Sequence, residues 1–139
     1  MTEQKKAALD HLNLTVRNFE EAANWYGKVF GFRVVEQGLD DGRPWGVLRS
    51  GDSMLCIYEN PGLAVPRDED SEKFYKIYHF GLRIQNREVW EKTLREHRLA
   101  TYYGSPLKYP HSTSWYVTDP TGHMIEVALW DNDQVRFAG

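Results

Sequence analysis

The run HLNLTVRN at residues 11–18 has a counterpart in HFGLRIQN at residues 79–86. Each copy opens on histidine, alternates apolar with polar residues, and closes on asparagine. Alternation with period two marks a half-buried strand. After each asparagine the apolar residues switch to helical spacing: Phe19, Ala22, Ala23, Tyr26 and Phe30 in the first copy, Val89, Trp90, Leu94 and Leu99 in the second. Asn18 and Asn86 are expected to cap these helices, because a short side-chain carbonyl accepts the orphan N–H groups of a first turn. Gly31 is expected to end the first helix.

Working outward, short β-type runs follow each helix: residues 32–37, 45–49 and 54–58 in the first half, and residues 102–103, 114–118 and 124–130 in the second. Turn-forming clusters at residues 40–44, 50–52 and 119–122 separate them. Each half therefore reads strand, helix, three strands. The expected fold is α+β, with two paired βαβββ modules forming a curved, cup-shaped mixed sheet and the helices outside. One domain over residues 1–139 is expected, with module one at about 8–60, a linker rich in Pro, Gly, Asp and Glu at about 61–73, and module two at about 74–131.

Composition agrees with a folded domain. Hydrophobic residues make up 41% and charged residues 27%, so the chain is neither a disordered tail nor a fibre. A net charge of −3 without a lysine or arginine run lacks the electrostatic footprint of a nucleic-acid or anionic-membrane binder, which leaves a small molecule as the expected partner. No window approaches a membrane span, and a cytoplasmic location is expected. The single cysteine, Cys56, cannot form an internal disulfide.

Strand alternation then sorts the polar residues. Leu12, Leu14 and Val16 belong to the helix-covered face of the first strand, which leaves His11, Asn13 and Thr15 on the open face. Phe80, Leu82 and Ile84 do the same in the second copy, leaving His79, Gly81 and Arg83 open. In the last run Ile125, Val127 and Leu129 cover the core, so Glu126 stands opposite, a carboxylate in an apolar strand that is costly to bury unpaired. His11, His79 and Glu126 form a usual ligand set for a divalent first-row metal with coordination positions left open. Of the remaining histidines, His97 ends the second helix, His123 orders a turn and His111 lies in a loop. Cys56 shares the open face with Met54 and Tyr58 and is read as a wall residue.

These residues resemble the vicinal-oxygen-chelate superfamily, which includes glyoxalase I, fosfomycin-resistance enzymes, extradiol dioxygenases and bleomycin-binding proteins. The likeness spans roughly residues 11–130. It is carried by HLNLTV, NWYGKVFGF (residues 24–32), HFGLRI and, most specifically, WYVTDPTGHMIE (residues 115–126). The resemblance implies metal ligation by His11, His79 and Glu126. Glyoxalase I usually offers Glu or Gln where this chain has Cys56, while fosfomycin thiol transferases and hydrolases carry polar residues matching Ser114 and Tyr116. Their threonine next to the metal is Asn13 here, and their cation-binding loop is replaced by PLKYPH (residues 106–111).

The expected function is a metal-dependent enzyme that binds one divalent ion per site (Zn, Ni, Mn, Fe or Co) and isomerises, hydrolyses or adds a thiol co-substrate to a small molecule. Tyr116, Ser114 and Asn13 are candidates to orient that substrate, and Arg83 either joins them or pairs with Glu59 or another surface acid. Two alternatives are an Fe(II) dioxygenase and a metal-free binder of planar molecules walled by Trp45, Tyr58 and Trp115. A homodimer is expected, with each metal site drawn from one chain or from two.

Overall fold

The computed structural model describes residues 8–64 and 77–138. The described residues form two compact units, 8–64 and 77–138. The first runs β1 (Leu12–Val16), α1 (Phe19–Phe30), β2 (Arg33–Asp40), β3 (Arg43–Ser50) and β4 (Ser53–Glu59). The second runs β5 (Phe80–Arg83), α2 (Arg87–Glu96), β6 (Leu107–Lys108), β7 (Ser112–Thr118) and β8 (Met124–Trp130). Their strand orders, β1-β4-β3-β2 and β5-β8-β7-β6, are the same path traced twice. In each, the first strand lies parallel to the last and the remaining pairs are antiparallel hairpins. The expected α+β fold of two βαβββ modules is the observed one. Most of the expected linker, and the start of module two at about residue 74, lie outside the described residues.

Local chemistry sets the element ends. Asn18 Oδ1 accepts the Glu21 amide at 2.9 Å and Asn86 Oδ1 accepts the Val89 amide at 3.0 Å, so both N-caps form as expected. Gly31, at φ 77°, closes α1 in the left-handed region. Glu59 Oε1 accepts the Phe19 amide at 2.9 Å, tying the start of α1 to the end of β4. This engages the carboxylate considered as a partner for Arg83. The turn between β2 and β3 is tighter than the sequence implies. Asp41 and Gly42 both have positive φ, 51° and 79°, which suits a two-residue hairpin and lets each strand reach eight residues.

The helix-covered face of each sheet is the core. In the first unit Leu14, Val16, Leu48, Leu55 and Ile57 are buried beneath Phe19, Ala22, Tyr26 and Val29 of α1. Gly46 on β3 gives the Phe19 ring its place, for a Cβ there would lie 2.7 Å from that ring. In the second unit Trp90, Trp115, Val117, Ile125 and Val127 are buried, and the Trp90 and Trp115 rings meet edge to face with centroids 6.5 Å apart. Asp119 stabilises the turn into β8: its Oδ1 accepts the amides of Thr121, Gly122 and His123 at 2.8 to 3.0 Å. No helix among the described residues is long and apolar enough to cross a membrane.

Three expectations are corrected in the second unit. Residues 102–103 are not a strand: Tyr103 has φ 61°, which an extended strand does not accommodate, and the first strand after α2 is Leu107–Lys108. Val89 is 61% exposed, so α2 presents Trp90 rather than Val89 inward. Trp115 is 1% exposed and belongs to the core under Trp90, with the Arg87 guanidinium 5.3 Å from its ring centre, so it is no wall of an open-face site.

Candidate functional site

The open face of the second sheet gathers four of the singled-out side chains. Gly81, Glu126 and Tyr116 are Cα partners across β5, β8 and β7, and His79 stands two residues before Gly81 on the same face. His79 Nε2 lies 3.0 Å from Glu126 Oε1. The Ser114 hydroxyl, fully buried, donates to Glu126 Oε2 at 2.7 Å. Each carboxylate oxygen thus has its own partner, which fixes the plane of the group. Tyr116 is buried beside them. Its ring meets the His79 ring edge-on at 5.7 Å and the Tyr103 ring at 5.2 Å, and its hydroxyl lies 2.9 Å from the Tyr109 hydroxyl. Burial first, then the Tyr109 hydroxyl and the Glu126 charge, hold the Tyr116 phenol well above its ordinary pKa, so it stays protonated at neutral pH.

The open face of the first sheet carries His11, Asn13 and Cys56. Asn13 and Cys56 are Cα partners across β1 and β4. His11 Nδ1 lies 2.8 Å from Asp10 Oδ2. When Nδ1–H donates to that carboxylate, Nε2 keeps its lone pair, the arrangement of a histidine prepared for ligation. Cys56 is half-buried; burial, followed by the charges of Asp10 and Glu36, pushes its thiol pKa up and keeps it neutral. Trp45 and Tyr58, also Cα partners, stack with centroids 6.1 Å apart and planes 19° from parallel.

The donor chemistry fits a divalent ion. The His79 imidazole nitrogen and the Glu126 carboxylate oxygen, 3.0 Å apart as an ion pair, are both common donor types for such an ion. Neither unit by itself groups three His, Cys, Asp or Glu side chains for a metal among the described residues. His79, Glu126, Ser114 and Tyr116 come together in the second unit, while His11 and Asn13 belong to the first. His97 caps the end of α2, His123 joins the Asp119 turn through its main chain, and His111 is half-buried in the β6–β7 turn.

Two contributors escaped the sequence reading. Asp10 had a local signal, an acid adjoining the first strand's histidine. Tyr109 had none, because it reaches Tyr116 only through the pairing of β6 with β7.

Residues 8–127 match the family described as the Glyoxalase/Bleomycin resistance protein/Dioxygenase superfamily. The chain belongs to this superfamily. The metallothiol transferase FosB of Staphylococcus epidermidis is 23% identical over 120 residues, covering 86% of this chain and 80% of that protein. Among solved structures, a glyoxylase/bleomycin resistance protein/dioxygenase domain from Frankia sp. EAN1pec superposes with a TM-score of 0.75 at 18% identity, covering 94% of this chain and 96% of that one. The fosfomycin resistance protein FosX of Listeria monocytogenes gives a TM-score of 0.69 at 14% identity, covering 90% and 94%. At these identities the structural likenesses establish the fold.

Proposed function

We propose that this chain is a divalent-metal-dependent enzyme of the glyoxalase and fosfomycin-resistance type, with His11, His79 and Glu126 as ligands. Its substrate is a small molecule with neighbouring oxygens that chelate the ion, and the reaction is an isomerisation, a thiol addition or a hydrolysis. The observation that carries this reading is the 3.0 Å approach of His79 Nε2 to Glu126 Oε1, with Ser114 fixing the second carboxylate oxygen. When bound, the ion (Zn, Ni, Mn, Fe or Co) supplies Lewis-acid polarisation of the chelating oxygens. The protein's own part is positional. Ser114 orients Glu126, Asp10 orients His11, Tyr116 presents a protonated hydroxyl to a substrate oxygen, and Asn13 offers a neutral amide from the first sheet.

Elemental analysis of protein purified without chelator tests the reading. About one divalent ion per chain is expected in the wild type, and His79→Ala and Glu126→Ala are expected to lose most of it while keeping their circular dichroism. Full occupancy in His79→Ala, or none in the wild type after reconstitution, overturns the ligand set. We further propose a homodimer with two equivalent sites. Mixing His11→Ala with Glu126→Ala chains, with subunit exchange verified, regains one complete site per mixed dimer if ligands come from different subunits. No recovery places each site within one chain, and a monomeric mass at full occupancy refutes the dimer.

A second reading, a metal-free binder of planar molecules, is favoured by the stacked Trp45 and Tyr58 pair. Having lost Trp115 to the core, it keeps two of its three walls.

A further inference from the structure

An open cleft of about 220 Å³ in the second unit is lined by the exposed Arg83 and Gln85, where the chain leaves β5, and by Trp130 and the exposed Asp131 and Asp133, where it leaves β8. Its volume is below the roughly 300 Å³ at which drug-sized pockets begin. At about 30 Å³ per water it holds about seven waters' worth of liquid, room for a molecule of amino-acid size. The cleft adjoins the open face described above. Trp130 follows Glu126 and Ala128 at alternate positions of β8, and Arg83 is the Cα partner of Ala128.

The charges lining this space are not spent on one another. Among the described residues the side chain of Arg83, an exposed residue, makes no ion pair or hydrogen bond, although two carboxylates share its cleft. Asp131 is engaged by Lys108, Nζ to Oδ2 at 3.2 Å. Asp133 has no such partner among the described residues. An unpaired cation and an unpaired anion thus line one small cleft without meeting each other. A guest carrying only a carboxylate would satisfy Arg83 but face Asp133 as a like charge, and a guest carrying only an ammonium would have the opposite conflict. A dipolar guest satisfies both.

We infer that this cleft binds the zwitterionic head of an α-amino acid. The α-carboxylate lies on the planar fork of Arg83, which matches a carboxylate in two-point geometry. The α-ammonium lies on Asp133, the Gln85 amide supplies a neutral donor and acceptor, and the Trp130 indole gives an apolar wall. This assignment is independent of the metal, since none of the cleft residues named is a proposed ligand.

The test is titration of the full ¹⁵N-labelled chain, at pH 7 with chelator present, by L-serine, by glycerate, which lacks the ammonium, and by ethanolamine, which lacks the carboxylate. The Trp130 indole and Gln85 side-chain amide resonances should shift with L-serine, with a Kd at least tenfold below that of either analogue. Arg83→Gln should bring L-serine down to the level of ethanolamine, and Asp133→Asn to the level of glycerate, with spectral dispersion unchanged. No shift of these resonances, binding of L-serine no tighter than of both analogues, or a preference that survives both substitutions overturns the assignment. Because chelator is present throughout, failure here is separable from failure of the metal site, which elemental analysis reads.

Discussion

Replacing Ser114 by Ala removes one hydroxyl and leaves Glu126 Oε2 without its 2.7 Å donor. Hydrogen bonds to charged groups are worth about 1.5–3 kcal/mol, and each 1.4 kcal/mol is tenfold, so the loss corresponds to about 10–100-fold in any equilibrium that needs this carboxylate held in place. Removal of an outer-shell partner of a metal ligand independently gives about 10–100-fold. The Glu126 side chain is 19% exposed, which lets water replace part of the missing bond and moves the expectation to the lower end, about tenfold weaker metal binding. Competition with a chromophoric chelator at pH 7 measures this directly, and near-ultraviolet circular dichroism confirms that the core around Trp115 is intact. If Ser114→Ala binds metal within twofold of the wild type with its fold preserved, Glu126 is not a ligand held by Ser114.

Gly46→Ala places a Cβ 2.7 Å from Phe19 Cε2 and Cζ, inside the roughly 3.5–4.0 Å of good carbon contacts, and 3.1 Å from Glu36 O. It should cost about 1–3 kcal/mol, read as a lower urea midpoint at unchanged slope, and an unaltered midpoint refutes the packing described for α1. The Cys56 thiol, with its raised pKa, should react with iodoacetamide at pH 8 more slowly than free cysteine, and Glu36→Gln should speed it. A rate equal to that of free cysteine would contradict the half-buried, acid-flanked position. Because the folded thiol pKa lies above the unfolded one, the stability Cys56 contributes is fully present below the unfolded pKa and is lost as pH rises through the folded value.

The repeat made much of the fold legible, because one strand-helix pattern read twice is stronger than either copy alone. Asn18, Asn86 and Gly31 announced the helix ends by chemistry that acts within a few residues. The faces of β1 and β5 followed from clean alternation. On β7 alternation failed, since Ser112 through Val117 are all buried, and only pairing with β8 decides that Trp115 faces the helix with Val127 while Tyr116 faces Glu126. The place of β6 was likewise hidden. Its two residues carry no period of their own, and the aromatic pair at residues 102–103 has the higher β propensity but the wrong backbone angle at Tyr103. Ser114, Tyr116 and Glu126 were visible as residue types; the partnership of Tyr109 with Tyr116 required the tertiary register.

The parallel pairing of first strand with last, seen in both units, has a consequence for how the protein is made. On the ribosome, β2, β3 and β4 can zip as neighbouring hairpins as they emerge, but β1 must wait for β4, and β5 must wait for β8. Closure therefore carries the largest loop-entropy cost of each unit and comes last. His79 and Glu126 are joined by that closing step. A chain released before β8 has left the exit tunnel leaves β5 without the partner strand it pairs with, and His79 without the carboxylate it meets.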